Sequence, residues 1–294
     1  MEVIYRILDT MVPVLIIVAI GAAYARYKNP DMRVPNQLNM DLFVPLLIFA
    51  SFSDAEFDLL AYTDLAIGGV LVILGSGLLV WPIGRLLGYD ARTFVPPAMF
   101  TNTGNLGLPL VFLAFGEAGM PAIVVLFVIE MVMHFTLGFY ILDRKARVLN
   151  GLSIPTLIAT AAALSVNLLN LKIPPMLDTG LDFLADICIP LMLFALGVRM
   201  ASVKWNDLPI ALWCSVLTPA SGLILVYVLQ PVLQLDAMQM SVFILFGALP
   251  PAVLNFMVAE RYNQEPAKVA SMVLISNMAT LGVMPLALLL APAF

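Results

Sequence analysis

The residues that stand out most in this sequence form two runs in which prolines precede polar side chains. In the first run, Pro96–Pro97 is followed by Thr101–Asn105, and in the second, Pro250–Pro251 is followed by Asn255. Proline lacks an amide donor and clashes with the preceding helical turn, and glycine permits unwinding. The two runs therefore predict two broken helices. When the proline pairs are aligned, Thr101 in the first run corresponds to Asn255 in the second.

Broken helices can bind an anion without a basic side chain. A helix N-terminus carries about half a positive charge and has free N–H groups, and asparagine amides add further donors. Neither run contains Lys or Arg, and the predicted substrate-binding residues are Thr101, Asn102, Thr103, Gly104, Asn105, Pro251 and Asn255. In the alternative interpretation the asparagines satisfy the broken backbone, and both roles can coexist. Because neither run contains Asp or Glu, cation and proton antiporters are disfavoured.

Glu130 and His134 form a second candidate site, for proton relay. Their i, i+4 spacing places them on one helix face inside an apolar run. Ionisable residues in such runs are costly and indicate function, and histidine titrates near physiological pH. The alternative is a structural contact between the two side chains.

Metal and enzyme signatures are absent from the sequence. His134 is the single histidine, and Cys188 and Cys214 lie in apolar runs. No phosphate-binding loop, zinc-protease helix or serine-hydrolase elbow is present. We therefore predict no metal, no cofactor and no enzymatic activity.

The elements that must position these residues are membrane helices. Of the 294 residues, 62% are hydrophobic and 11% are charged, too few charges for a soluble globule, and the net charge of -5 gives no nucleic-acid-binding surface. Apolar stretches of spanning length recur along the chain, and the first is expected to belong to the mature protein. We predict an all-α integral membrane protein with ten transmembrane helices at 7–25, 36–52, 62–84, 93–115, 119–141, 153–171, 178–200, 207–229, 237–259 and 267–291.

The basic residues predict how these helices are oriented. Of the 14 Lys and Arg residues, all except Arg6 and Lys172 lie in or beside the odd-numbered connections. Since basic residues favour the cytoplasmic side, the odd connections are predicted to be cytoplasmic and both termini extracytoplasmic. A multi-pass location in the inner (plasma) membrane follows.

An internal repeat links the two halves of the chain. The stretch Asp41–Ala50 in the second helix matches Asp186–Ala195 in the seventh, and Val95–Ala98 in the fourth matches Leu249–Ala252 in the ninth. Matching helices stand five apart, so the halves 1–147 and 148–294 are predicted to have inverted topology, which is typical of secondary carriers. Asp41 and Asp186 are expected to cap helix starts.

The same residues resemble the auxin efflux carrier family, which includes plant PIN proteins and bacterial members of the bile/auxin transporter superfamily. Asn102-Thr103 followed by Gly107-Leu-Pro109 is similar to the family's fourth helix, and Leu249-Pro250 through Asn263 to its ninth. The similarity extends from about residue 10 to 290. Thr101 and Asn255 stand where plant members have crossover prolines.

This resemblance implies a scaffold domain of helices one, two, six and seven. It also implies a moving transport domain of helices three to five and eight to ten, a homodimer, and elevator-type transport of organic anions. We therefore expect a carrier of small carboxylates such as malate, malonate or an auxin-like acid. The alternatives are a sodium-coupled symporter of the bile-acid type and a membrane sensor that does not transport.

The orientation can be tested with cysteines placed at Met1 and between Arg144 and Arg147, in a chain lacking Cys188 and Cys214. In intact cells an impermeant thiol reagent is expected to label the terminus and not the connection, because the connection is predicted to be cytoplasmic. Labelling of the connection alone would contradict this orientation.

Overall fold

The computed structural model describes residues 2–53, 57–143, 154–201 and 207–294. Within these residues the chain is helical and contains no β-strand. The α-helices are α1 (Glu2–Lys28), α2 (Arg33–Leu38), α3 (Val44–Ser53), α4 (Thr63–Leu86), α5 (Ala91–Met99), α6 (Leu108–Phe115), α7 (Met120–Met133), α8 (Phe139–Leu142), α9 (Ile154–Leu168), α10 (Pro175–Ala185), α11 (Cys188–Met200), α12 (Leu208–Leu229), α13 (Ala237–Ala248), α14 (Leu254–Arg261) and α15 (Pro266–Leu290). Short π-helical turns at Asn39–Phe43, Thr103–Gly107 and His134–Gly138 join some of them.

Six helical stretches of the described chain are long and apolar enough to cross a membrane. They are Ile4–Lys28, Leu59–Leu86, Thr103–Leu142, Pro175–Met200, Leu208–Leu229 and Pro266–Leu290. Shorter apolar helices occur at Pro155–Leu168 and Ala237–Ala248. The predicted all-helical architecture is thus confirmed for the described residues and is consistent with a membrane protein, while the count of ten crossings and the inverted repeat stay predictions. Thr103–Leu142 is the most deeply buried of the six and forms the centre of the molecule.

The expected helix caps at Asp41 and Asp186 are wrong. Asp41 lies inside the π-helical turn Asn39–Phe43, and Asp186 follows the last residue of α10 with helical backbone angles. The residue that precedes α11 is Ile187, whose side chain makes no capping bond. An N-cap needs a non-helical backbone, which neither aspartate has. The repeated aspartates mark irregular helical turns instead.

Several predicted charges lie outside the described residues. They are Arg144, Lys145 and Arg147 of the fifth connection, Lys204 of the seventh, and Asp54 and Glu56 of the second. The predicted boundary between the two halves, at 147/148, also lies there. The orientation that depends on these charges stays a prediction.

Glycines allow two pairs of helices to pack backbone against backbone. A Cβ atom at Gly197 of α11 would overlap the carbonyl oxygen of Val18 in α1, and one at Gly21 would overlap that of Phe194. A Cβ at Gly222 of α12 would likewise overlap the carbonyl of Gly247 in α13. Small residues at helix crossings are a common packing device in membranes, where lipid competes with apolar side chains.

Gly197→Ala is therefore expected to lower the melting temperature of the purified protein, because overpacking a tight contact costs about 1–3 kcal/mol. Gly282→Ala is the matched control, since a Cβ there would meet no atom within 4 Å. The control should leave stability unchanged or raise it slightly through helix propensity. Equal thermal melting of the two variants would show that the α1–α11 contact does not limit stability.

Candidate functional site

Both predicted helix breaks are present, and they cross each other. The fourth predicted helix divides into α5 and the turn that leads to α6, and the ninth divides into α13 and α14. At the crossing, Thr101 and Pro251 form an antiparallel β-bridge. We call these two extended segments, Phe100–Asn102 and Leu249–Ala252, the crossing. The sequence therefore located both breaks correctly.

Backbone hydrogen bonds hold the crossing together. The amide of Asn102 donates to the carbonyl of Pro250 at 2.7 Å, and the amide of Ala252 donates to the carbonyl of Phe100 at 2.9 Å. In an apolar interior, polar backbone groups released by a helix break must find partners. Each broken helix thus supplies partners for the other.

Asparagine side chains add hydrogen bonds to carbonyls of the crossing. Asn255 donates through Nδ2 to the carbonyls of Phe100 at 2.9 Å and Ala252 at 3.0 Å. Asn102 donates through Nδ2 to Oδ1 of Asn277 at 2.7 Å, and Asn277 in turn donates to the carbonyl of Pro251 at 3.0 Å. The backbone-satisfying role considered in the sequence analysis is therefore present in this structure. Through these hydrogen bonds, Asn277 joins α15 to the crossing.

Amide donors at the two helix starts have no hydrogen-bond partner among the described residues. They are the N–H groups of Thr103, Gly104 and Asn105 before α6, and of Val253 and Leu254 at the start of α14. The carbonyls of Phe100, Asn102, Pro250 and Pro251 all accept hydrogen bonds. The five open amides outnumber the two crossing carbonyls, those of Thr101 and Leu249, that accept no hydrogen bond from a described residue, so the crossing favours an anion.

Glu130 of α7 supplies a carboxylate to the first break. Its Oε1 accepts from the amide of Thr101, and its Oε2 accepts from the hydroxyls of Thr101, at 3.2 Å, and Thr103. Glu130 is buried, and it forms no ion pair with a described residue. The first break therefore does contain a carboxylate, although the run itself has no Asp or Glu, and proton or cation coupling is not disfavoured on that ground. Nothing in the local pattern of the runs indicates a contact with a residue so distant in the chain.

His134 does not pair with Glu130 in this conformation. Its ring stacks on Phe100 with centroids 4.2 Å apart and an interplanar angle of 10°. Phe100 lies one residue before Thr101, which Glu130 contacts. The two proton-relay candidates therefore meet neighbouring residues of the first break rather than each other.

A small cavity of about 10 Å³ adjoins the crossing, with His134, Asn255, Thr93 and Pro97 among its lining residues. This is about the space that one water molecule needs. Oδ1 of Asn255 is buried and has no hydrogen-bond partner among the described residues. Because both N–H groups of that amide already donate to carbonyls, the free group of Asn255 is an acceptor.

Outside the apolar interior, a carboxylate links the starts of α5 and α15. Glu265 accepts a hydrogen bond from the hydroxyl of Thr93 at 2.6 Å and pairs with Lys268. The Lys268 ammonium, and next the Thr93 hydroxyl, hold the pKa of Glu265 below its ordinary value. A lowered pKa favours the ionised form, so this contact is present at neutral pH and lost as the pH falls through that pKa.

The first break faces α11 across a narrow space. A Cβ at Gly104 would lie 3.1 Å from Phe127 and 3.9 Å from Met192 of α11. Gly104 and Asn105 are partly exposed, whereas Asn102, Thr103 and Asn255 are buried. Access to the crossing is therefore greatest beside Gly104 and Asn105. Among the described residues, no three His, Cys, Asp or Glu side chains come together as metal ligands.

Comparison with known proteins defines the class of protein. A family model described as "Membrane transport protein" matches residues 6–151 and 145–290. The chain belongs to this family of membrane transport proteins, and the resemblance to the auxin efflux carriers is confirmed.

Three relatives give the same assignment. An "Uncharacterized transporter" of Methanocaldococcus jannaschii is 21% identical over 303 residues, which cover 95% of this chain and 97% of the relative. A "Putative malonate transporter" of Rhizobium meliloti is 24% identical over 264 residues, covering 81% and 80%. An "Uncharacterized transporter" of Escherichia coli K12 is 21% identical over 277 residues, covering 86% and 87%. All three are named as transporters, in agreement with the prediction that the chain is not an enzyme.

Proposed function

We propose that this membrane transporter is a secondary carrier of small organic carboxylates such as malate, malonate or an auxin-like acid. The observation that carries the proposal is the unequal use of backbone groups at the crossing. The carbonyls of Phe100, Asn102, Pro250, Pro251 and Ala252 are bonded, while five amides at two helix starts remain open. Two helix N-termini that meet inside an apolar interior attract a carboxylate, because a low dielectric strengthens their field.

The absence of a basic side chain in either break supports transport rather than permanent binding. A buried lysine or arginine would pair fully with a carboxylate and hold it strongly. Open amides and asparagine side chains give orientation with weaker attraction, and a carrier must release its cargo. The name of the Rhizobium meliloti relative fits a small dicarboxylate as one substrate.

The proposed mechanism is an elevator motion of one group of helices against another. In this proposal the scaffold comprises α1–α3 and α9–α11, and the transport domain comprises α4–α8 and α12–α15. Helix packing supports this grouping, since α1 packs on α11 and α3 on α9, while α12 packs on α15, α4 and α13. We further propose two inverted five-helix halves, a homodimer, and extracytoplasmic termini in the plasma membrane.

A sodium-coupled symporter of the bile-acid type is a second candidate, favoured by one observation. The Glu130 carboxylate and the hydroxyls of Thr101 and Thr103 converge in the first break. A buried carboxylate is costly unless a proton or a cation neutralises it. The site therefore suits coupling by either ion, and a dependence of uptake on sodium would identify the second candidate.

Substrate binding can be tested once a thermal-shift screen of mono- and dicarboxylates has identified a ligand. Asn102→Ala and Asn255→Ala are each expected to weaken binding about tenfold to a hundredfold, the effect of losing one hydrogen bond to a charged group. Asn167→Ala, a change in α9 outside the breaks, should have much less effect. Wild-type affinity in both break variants would remove these residues from the site.

Asn277→Ala separates contact with the substrate from support of the crossing. This change removes the hydrogen-bond partner of Asn102 and leaves Asn102 itself in place. If Asn102 contacts the carboxylate, Asn277→Ala should retain most of the affinity that Asn102→Ala loses. Equal losses in the two variants would assign Asn102 a supporting role.

Proton coupling is tested at Glu130. Glu130→Gln keeps the size of the side chain and removes its ionisation, so we expect transport to lose its pH dependence while substrate binding changes little. Glu117→Gln is the matched control, because Glu117 is an exposed carboxylate beyond α6. An unchanged pH profile in Glu130→Gln would make the contacts of Glu130 purely structural.

A further inference from the structure

A second site lies on the outer surface of the helices, and it shares Arg92 with the small cavity beside the crossing. It is an apolar groove of about 380 Å³, which is within the size range of ligand pockets. Its lining includes Leu74, Leu78 and Trp81 of α4, Val95 of α5, Leu137 of the π-helical turn His134–Gly138, and Ile141 of α8. Leu78 is 70% exposed and Trp81 46% exposed, so the groove is open to the surroundings of the protein. In a membrane transporter those surroundings are lipid acyl chains.

Positive charge is concentrated at one end of this groove. Arg92, an exposed residue at the start of α5, is part of the lining. The guanidinium of Arg85, in the last turn of α4, lies 5.2 Å from the ring centroid of Trp81. A short connection joins α4 to α5, so both arginines lie at the same end. Among the described residues neither arginine forms an ion pair. The neighbouring carboxylate of Asp90 accepts a hydrogen bond from the backbone amide of Arg92 and not from its guanidinium.

We propose that this groove binds an anionic phospholipid, with an acyl chain along its apolar length and the phosphate at Arg85 and Arg92. The groove is apolar where a hydrocarbon chain would lie and basic where a headgroup would lie. Basic pockets between membrane helices are known to bind anionic headgroups. The site joins α4 to α5, the segment that ends one residue before Phe100 at the crossing.

The inference requires that the chain spans a membrane and is independent of the proposed substrate. An acyl chain seated in the groove would contact three helices that meet there. Arginine attracts anionic lipid by about 1 kcal/mol, which corresponds to about fivefold in local affinity for each residue. Removing the Arg92 charge should therefore lower the preference for anionic lipid about fivefold and leave the contribution of Arg85.

Trp81 provides a direct probe for the occupant. In a chain with Trp205→Phe and Trp213→Phe, the remaining fluorescence comes from Trp81 in the groove. Lipids with brominated acyl chains quench tryptophan on contact. In bicelles we expect brominated phosphatidylglycerol to quench Trp81 at about fivefold or more lower mole fraction than brominated phosphatidylcholine. Arg92→Gln should reduce that preference about fivefold, and Arg26→Gln, an exposed arginine in the last turn of α1, should retain it.

Three results would overturn the proposal. Equal quenching by the two lipids would make the groove an ordinary lipid contact. Absence of quenching by either lipid would mean that protein covers the groove, as a second copy of the chain would. An undiminished preference in Arg92→Gln would remove the basic end from the site.

If the double tryptophan variant fails to fold, the thermal melting of the otherwise unaltered chain serves instead. Phosphatidylglycerol should then raise the melting temperature more than phosphatidylcholine in the parent and in Arg26→Gln, and by a smaller margin in Arg92→Gln.

Discussion

The structure depends on one exchange of hydrogen bonds between two broken helices. The helix α5 contains Pro96–Pro97 and ends two residues later, and Pro250–Pro251 lie in the segment between α13 and α14. In an apolar interior the backbone groups released at these two breaks need partners. Asn102 bonds to Pro250, and Ala252 bonds to Phe100, so each break satisfies the other. This exchange allows two helices to begin inside the molecule while the amides of their first turns stay without hydrogen-bond partners among the described residues. Without these two hydrogen bonds, the carbonyl of Pro250 would be unpaired and that of Phe100 would lose one of its donors. Unpaired carbonyls beside the open amides would weaken the preference of the crossing for an anion.

The sequence predicts the parts of the site that are local in the chain. Pro96–Pro97 and Pro250–Pro251 indicate where the helical hydrogen bonds are weakened, because a missing amide donor affects the bonds within one helical turn. The polar residues of each break come within a few positions after its proline pair, so the sequence alone assigns them to the break. The positions of the long apolar helices are equally local, since spanning length is a property of a continuous stretch.

Contacts between distant residues could not be predicted in the same way. Asn102 and Asn277 are 175 positions apart, and Thr101 and Glu130 are 29 positions apart on different helices. The sequence placed Glu130 inside an apolar run, but it did not indicate that Glu130 and Asn277 both meet the crossing. The expected caps at Asp41 and Asp186 failed for a related reason. A repeated residue type indicates a repeated environment, whereas the local backbone decides whether a carboxylate can cap a helix.

The bridge between Thr101 and Pro251 also constrains how the helices can move. Two backbone hydrogen bonds and the side chain of Asn255 fasten α5 to the segment before α14, and Asn277 fastens that segment to α15. Sliding one break past the other would expose several polar groups to hydrocarbon at once. The two breaks therefore move together as one rigid unit. Any motion that uncovers the open amides of one helix start carries those of the other by the same displacement.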